Sequence, residues 1–233
     1  MKKILSFALL LCALLMVSAF AAAEETGIQV GDYITFGVYE QDNNLENGVE
    51  PLEWRVLQIE GDEALLITEY GLDCVPYSTK GGYARWRTAT LRTWLSNDFY
   101  NAAFSDTEKQ AIITKEIINW REKPTTDPVI LLDTDQAKRL FSSHDDRQCT
   151  PTAYAVAQGA YLSVKYKKAA AEDAPANCHW WLRTHSWESN FKGSYVAASG
   201  GVMTCGGHTD GYANNTVLVV RPSVYVSLSA LQQ

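Results

Sequence analysis

Groups able to grip a small polar ligand are densest between His185 and Thr216, where Trp187, His208, Asp210, Tyr212, Asn214 and Asn215 sit among turn-forming residues. A sugar needs a flat apolar face for its C–H side and planar donors and acceptors for its hydroxyls. Trp187 and Tyr212 supply rings, and Asp210, Asn214 and Asn215 supply the polar partners. Asp-Gly and Asn-Asn pairs are also plain turn formers, so an irregular loop with Trp187 folded back over a sheet explains the same residues. Just upstream, strand alternation places His179, Trp181 and Arg183 on one side and Cys178, Trp180 and Leu182 on the other. The second set reads as core. In the first, Trp181 and Arg183 can contact a ligand, whereas the structural alternative is an Arg held by a backbone carbonyl or an acid, a description that fits Arg221 as well.

Metal chemistry has weaker support. Asp210, Asn214 and Asn215 are hard oxygen ligands suited to Ca²⁺, yet neither EF-hand spacing nor a Glu-Pro-Asn or Trp-Asn-Asp triplet accompanies them. Cys205 and His208, with Cys178 and His185, form only a fragmentary Zn²⁺ pattern. For an enzyme, Cys178 beside His179 proves nothing, because consecutive strand residues diverge. No Gly-x-Ser-x-Gly, His-Glu-x-x-His or P-loop occurs. The acids Glu50 and Glu53 read as a solvated edge.

These groups need a frame. Residues 28–36, 52–59 and 64–68 are β-rich, and Gly61-Asp62 joins the last two as a hairpin. Leu91, Trp94, Leu95 and Phe99 mark one face of a helix that is expected to share a core with Trp54, Trp180 and Leu182. Ser105-Asp-Thr-Glu108 and Asp133-Thr-Asp-Gln136 are capping boxes, the second opening a stripe of Ala137, Leu140 and Phe141. A further helix is expected from Thr150, with Pro151 at its first position, to Gly159. Residues 165–176 read as an exposed insertion. Beyond them lie strand candidates at 178–184, 194–199, 202–205 and 217–228, with Gly200-Gly201 predicting a two-residue hairpin loop. Strands, then helices, then strands argue an α+β fold with a largely antiparallel sheet.

Met1-Lys2-Lys3 followed by the apolar run Ile4 to Phe20 and small residues near Ala21 reads as a cleaved secretory signal peptide, residues 1–21, ahead of a single domain spanning 22–233. The mature protein is therefore expected outside the cytoplasmic membrane, secreted, with no membrane anchor. Formal charge is −7 over 233 residues, and no run of Lys and Arg lays a positive stripe, which argues against nucleic acid as partner. Export makes Cys74, Cys149, Cys178 and Cys205 candidates for two disulfides in any of three pairings, or for buried free thiols.

Several ordered blocks carry a resemblance: Gly31-Asp-Tyr-Ile-Thr-Phe-Gly37, Glu50-Pro-Leu-Glu-Trp-Arg-Val-Leu57, Leu72-Asp-Cys74, Cys149-Thr-Pro-Thr-Ala-Tyr-Ala155, Trp180-Trp-Leu-Arg183 and Val220-Arg-Pro222. The chain resembles the bacterial domain of unknown function 6273, a relative of C-type-lectin-like domains. The resemblance implies an antiparallel sheet with two to four short helices and a long loop region, and carries no activity. Where that family commonly continues Ser-Pro-Gly, this chain has Thr184-His185-Ser186. Together these readings make the protein an exported recognition module for a glycan or a cell-surface protein, with no cofactor, Ca²⁺ being the one ion its loops suit; the alternative is an exported metal- or thiol-dependent enzyme on the same fold.

Overall fold

The computed structural model describes residues 27–79, 83–167, 176–204 and 211–231. The signal-peptide segment, most of the 165–176 insertion, and Cys205, His208 and Asp210 lie outside them. The described chain is α+β, mixing short helices with antiparallel sheet.

The first sheet has the order β1 (Tyr33–Tyr39), β2 (Glu50–Glu60), β3 (Glu63–Thr68), β11 (Ser223–Ser227). The β2–β3 hairpin turns at Gly61. Its φ of 62° suits a residue without Cβ. The sheet's final strand comes from the far end of the chain, pairing Val224 with Leu66 and Val226 with Ala64. A helical run covers this sheet: α1 (Thr90–Trp94), a π turn (Leu95–Phe99) and α2 (Tyr100–Ala103), burying Leu91, Leu95 and Phe99 against Trp54 and Phe36. The Trp54 indole donates to the Phe36 carbonyl at 2.5 Å, satisfying the ring's one donor inside the core.

Both capping boxes form. Ser105 Oγ accepts from the Glu108 amide, and Glu108 closes back on Ser105. The other Glu108 oxygen takes the Gly37 amide at 2.8 Å, so α3 (Asp106–Ala111) is pinned to β1. Asp133 caps α4 (Thr134–Arg139) in the same way. α5 (His144–Arg147) had no expectation, and α6 (Ala153–Ala157) starts later than expected. Thr152 is its cap, accepting from the Ala155 amide, and Pro151 stays outside in a bridge to Gly71.

A second sheet runs β10 (Val202–Met203), β9 (Gly193–Val196), β8 (Trp180–His185). The β9–β10 connection is longer than two residues. Gly200, at φ 81°, lies inside a loop closed by the Ala197 amide on the Gly201 carbonyl. Two smaller pairs follow among the described residues: β4 (Lys115–Ile117) with β5 (Thr125–Asp127), and β6 (Ser163–Lys167) with β7 (Ala176–Asn177).

Strand β8 corrects the expected core. Its neighbours do point to opposite faces, but both faces are covered. Trp180 and Leu182 enter a second cluster with Leu65, Ile67, Phe141 and Val219, while Trp181 enters the main cluster that holds Trp54 and the α1 stripe. The expected partnership of Trp180 with Leu91 and Trp54 is thus replaced by one with Trp181. Trp181 is fully buried, edge-on to Tyr77 at 5.6 Å with its indole donating to the Val75 carbonyl at 3.2 Å, and so offers no ring to solvent.

Arg221 sits at the back of the second cluster. Its Nε donates to the Thr68 carbonyl at 2.7 Å, its guanidinium lies 5.2 Å from the Trp180 ring, and Glu69 stands 3.5 Å away. The structural reading of this residue holds.

Candidate functional site

The β4–β5 hairpin carries a seven-residue loop, 118–124, that builds one wall of a cleft of about 400 Å³. The loop is braced from within. The Asn119 side-chain amide donates to the carbonyls of Ile117 and Lys123 and to Thr125 Oγ1, and the Glu122 amide donates to the Asn119 carbonyl. From below, buried Asp127 fixes β5 to the start of the helical run: its carboxylate takes the Trp86 indole at 3.0 Å and the Arg92 guanidinium at 2.6 Å. The opposite wall is β8 with β9, through Arg183, Thr184, His185 and Ser194, and the N-terminal turn of α4 closes the end with Asp133, Thr134 and Asp135.

Apolar groups form the rim. Ile118 is 70% exposed, Trp120 41% and Trp187 61%. That is an unusual outlay of large side chains to water around one concavity. Polar groups form the walls, and three are buried without a hydrogen-bond partner: Asn119 Oδ1, Arg183 Nε and Ser194 Oγ. Buried polar atoms are nearly always paired, so three unpaired ones on residues lining one cleft mark it as a place where a small shift of the walls lets a polar guest bond them.

Two side-chain pairs organise the walls. Arg183 donates to the Leu131 carbonyl at 2.9 Å, to Gln136 Oε1 at 2.7 Å and to Asp133 Oδ2 at 2.6 Å. Burial lowers its pKa and the Asp133 charge works against that fall. The guanidinium is thus held by an acid and backbone, as the structural reading expected, while its buried Nε has no partner. Opposite, His185 Nδ1 lies 3.4 Å from Glu122 Oε1, with the imidazole 4.9 Å from the Trp120 ring. Burial raises the Glu122 pKa, but hydrogen bonds from His185 and the amides of Arg87 and Trp86 outweigh it and hold the carboxyl below its ordinary range.

Of the residues expected to contact a ligand, the structure brings Arg183 and Trp187 to this cleft. Trp181 goes to the core. Tyr212, Asn214 and Asn215 do not line the cleft: Tyr212 pairs its backbone with Lys192, whose ammonium sits 4.6 Å from its ring, and Asn215 Oδ1 turns back to accept the Val217 amide at 2.8 Å. That is the turn-forming role of Asn. His208 and Asp210 fall outside the described residues. Sequence reasoning missed Asn119, Trp120 and Glu122. The signal available was a tryptophan inside the polar run Asn119-Trp120-Arg121-Glu122-Lys123, closed by Pro124.

For metals, the carboxylates of Glu40, Asp42 and Glu50 lie within 4.8 Å of one another. They already have local work in the β1–β2 loop: Glu50 accepts the Gln41 amide, Glu40 the Asn44 amide and Asp42 the Asn47 side chain. Cys178, from the fragmentary zinc set, is fully buried in the second core, whereas His185 stands at the cleft. Cys74, Cys149 and Cys178 are free thiols.

The family described as Domain of unknown function (DUF6273) matches residues 61–228. No curated protein and no solved structure matches the chain.

Proposed function

The chain belongs to this family of unknown function, and from that premise we propose that the protein is an exported recognition module whose cleft holds a sugar residue of a glycan. One observation carries the reading: Trp120 and Trp187 stand exposed at the rim of a cleft whose walls keep Asn119 Oδ1, Arg183 Nε and Ser194 Oγ buried and unpaired. A sugar ring fits that combination, laying its C–H face on an indole and satisfying the wall with its hydroxyls. Export rests on the N-terminal sequence. The C-type-lectin-like relationship belongs to the same reading; it is supported by the order of the sequence blocks and by a site built from loops around a small antiparallel sheet.

A second reading has one observation of its own. The His185–Glu122 pair resembles an imidazole oriented for proton transfer. Among the described thiols, Cys149 and Cys178 are fully buried and burial raises the Cys74 pKa, which does not favour a thiol enzyme; Cys205 lies outside the described residues. For a serine nucleophile, Ser194 Oγ is not hydrogen-bonded to the imidazole.

The test is a glycan array on the protein lacking residues 1–21, followed by fluorescence titration of the hits. Saturable binding that weakens about tenfold or more in Trp187→Ala and Trp120→Ala, with unchanged melting temperature, supports the proposal. Absence of binding to every neutral and acidic glycan at millimolar concentration rules it out.

A further inference from the structure

Behind the loop that forms the cleft is a second cavity of about 240 Å³, lined by Arg85, Arg87, Thr88, Arg121, Glu122 and Lys123. Four cations and one carboxylate therefore share one small space in a chain whose formal charge is −7. Among the described residues, Arg85, Arg87 and Lys123 enter no ion pair. The single carboxylate is occupied: Glu122 takes the amides of Trp86 and Arg87, both at 3.1 Å, and its Oε1 also lies 3.4 Å from His185 Nδ1. Its charge is thus largely answered before any ligand arrives, which leaves the cavity net positive.

The two cavities are neighbours. Glu122 lines both, and the Arg121 guanidinium of the second lies 4.4 Å from the ring of Trp120 at the cleft rim. Arg121 holds this position at φ 56°. That backbone conformation is uncommon outside glycine, so the loop keeps a strained residue where cation meets rim. A ring bound in the cleft therefore has this cation group as its neighbour across Trp120 and Glu122.

We propose that the glycan is acidic: a sugar ring occupies the Trp120–Trp187 cleft while an oxyanion substituent, carboxylate or sulfate ester, enters the cavity of Arg85, Arg87, Arg121 and Lys123. This rests on the sugar reading of the cleft and adds the chemical class of the ligand. Exposed cations screened by salt confer discrimination by charge, and guanidinium groups grip planar or tetrahedral oxyanions with paired donors.

The experiment compares matched pairs by fluorescence titration in 50 mM NaCl: trigalacturonate against its methyl ester, and 3′-sulfolactose against lactose. The expected result is at least tenfold tighter binding of the charged member in one pair or both, the pair identifying carboxylate or sulfate. Arg87→Gln/Lys123→Gln should erase that advantage while neutral-sugar binding and melting temperature stay unchanged. Raising NaCl to 500 mM on the wild-type protein should erase it too, a readout independent of any variant's folding. Equal affinity within both pairs overturns this inference and leaves the sugar reading intact; no binding by any sugar overturns both. If a ten-residue oligothymidylate binds as tightly as the charged sugars and Trp187→Ala does not weaken them, the cations form an unselective polyanion surface and the inference falls.

Discussion

Glu122 Oε1 lies 3.4 Å from Nδ1 of His185, so a carboxylate–imidazole contact helps to fasten the loop between β4 and β5 to the end of β8. The same carboxylate accepts the amides of Trp86 and Arg87, which begin the helical region. Three chain segments far apart in sequence meet on two oxygen atoms, and both cavities take part of their lining from that junction.

Replacing Glu122 by Gln should therefore lower stability by about 1–3 kcal/mol at neutral pH, since one amide donor then faces another donor. The pH dependence has a definite sign. The folded pKa lies below the ordinary 4.5, so between the two values the unfolded chain binds more protons and stability rises with pH. The contribution is complete above about pH 4.5 and disappears as pH falls through the lowered folded value. Urea titrations of both proteins from pH 7 to 3 should show the gap between wild type and Glu122→Gln narrowing in that acid window. A gap that stays constant would show that the carboxylate's charge is not what fastens the loop.

The two neighbouring tryptophan positions should behave oppositely. Trp181 is fully buried in the main core, and Trp181→Ala should cost about 3–5 kcal/mol. The Trp187 ring is 61% exposed. Trp187→Ala should therefore change stability by less than about 0.5 kcal/mol. Thermal denaturation of both variants distinguishes them, and a marked loss in Trp187→Ala would place that ring in the fold rather than at the rim.

Gly200→Ala should be among the most damaging single changes. A Cβ there would stand 1.7 Å from the His144 carbonyl oxygen, and the residue has φ 81°. Its own carbonyl accepts Arg147 Nε at 2.8 Å, so the loop cannot move away freely. We expect a loss of at least about 2 kcal/mol, measured by chemical denaturation.

Thiol reactivity should follow burial. Cys149 and Cys178 are fully buried, and the Cys74 thiol is pushed up to about 12 by burial and by the Asp73 carboxylate. In a Cys205→Ser variant lacking residues 1–21, and with them Cys12, an aromatic disulfide reagent at pH 8 should label none of the three in the native state within minutes. All should react at once in 6 M guanidinium. Fast native labelling would mean that the second core opens readily.

Local signals were legible in the sequence wherever a short-range physical rule acts alone. The capping boxes at Ser105 and Asp133, the Gly61 turn and the apolar stripe through Leu91, Leu95 and Phe99 each need only their own neighbours to form. The α+β class followed from their order. The same rules could not say that β8 would be covered on both faces, because alternation fixes direction and not what lies there; that is why Trp181 read as a ligand contact and became core. Nor could they join Arg85 and Arg87 to Arg121 and Lys123. Each pair alone is an ordinary solvated surface, and only the folding of the 118–124 loop against the start of the helical region makes one cavity of them. Periodicity, caps and turns are properties of adjacent residues and survive in the linear text, whereas a cleft is a property of distances between segments, set by which apolar surfaces find each other when the core closes.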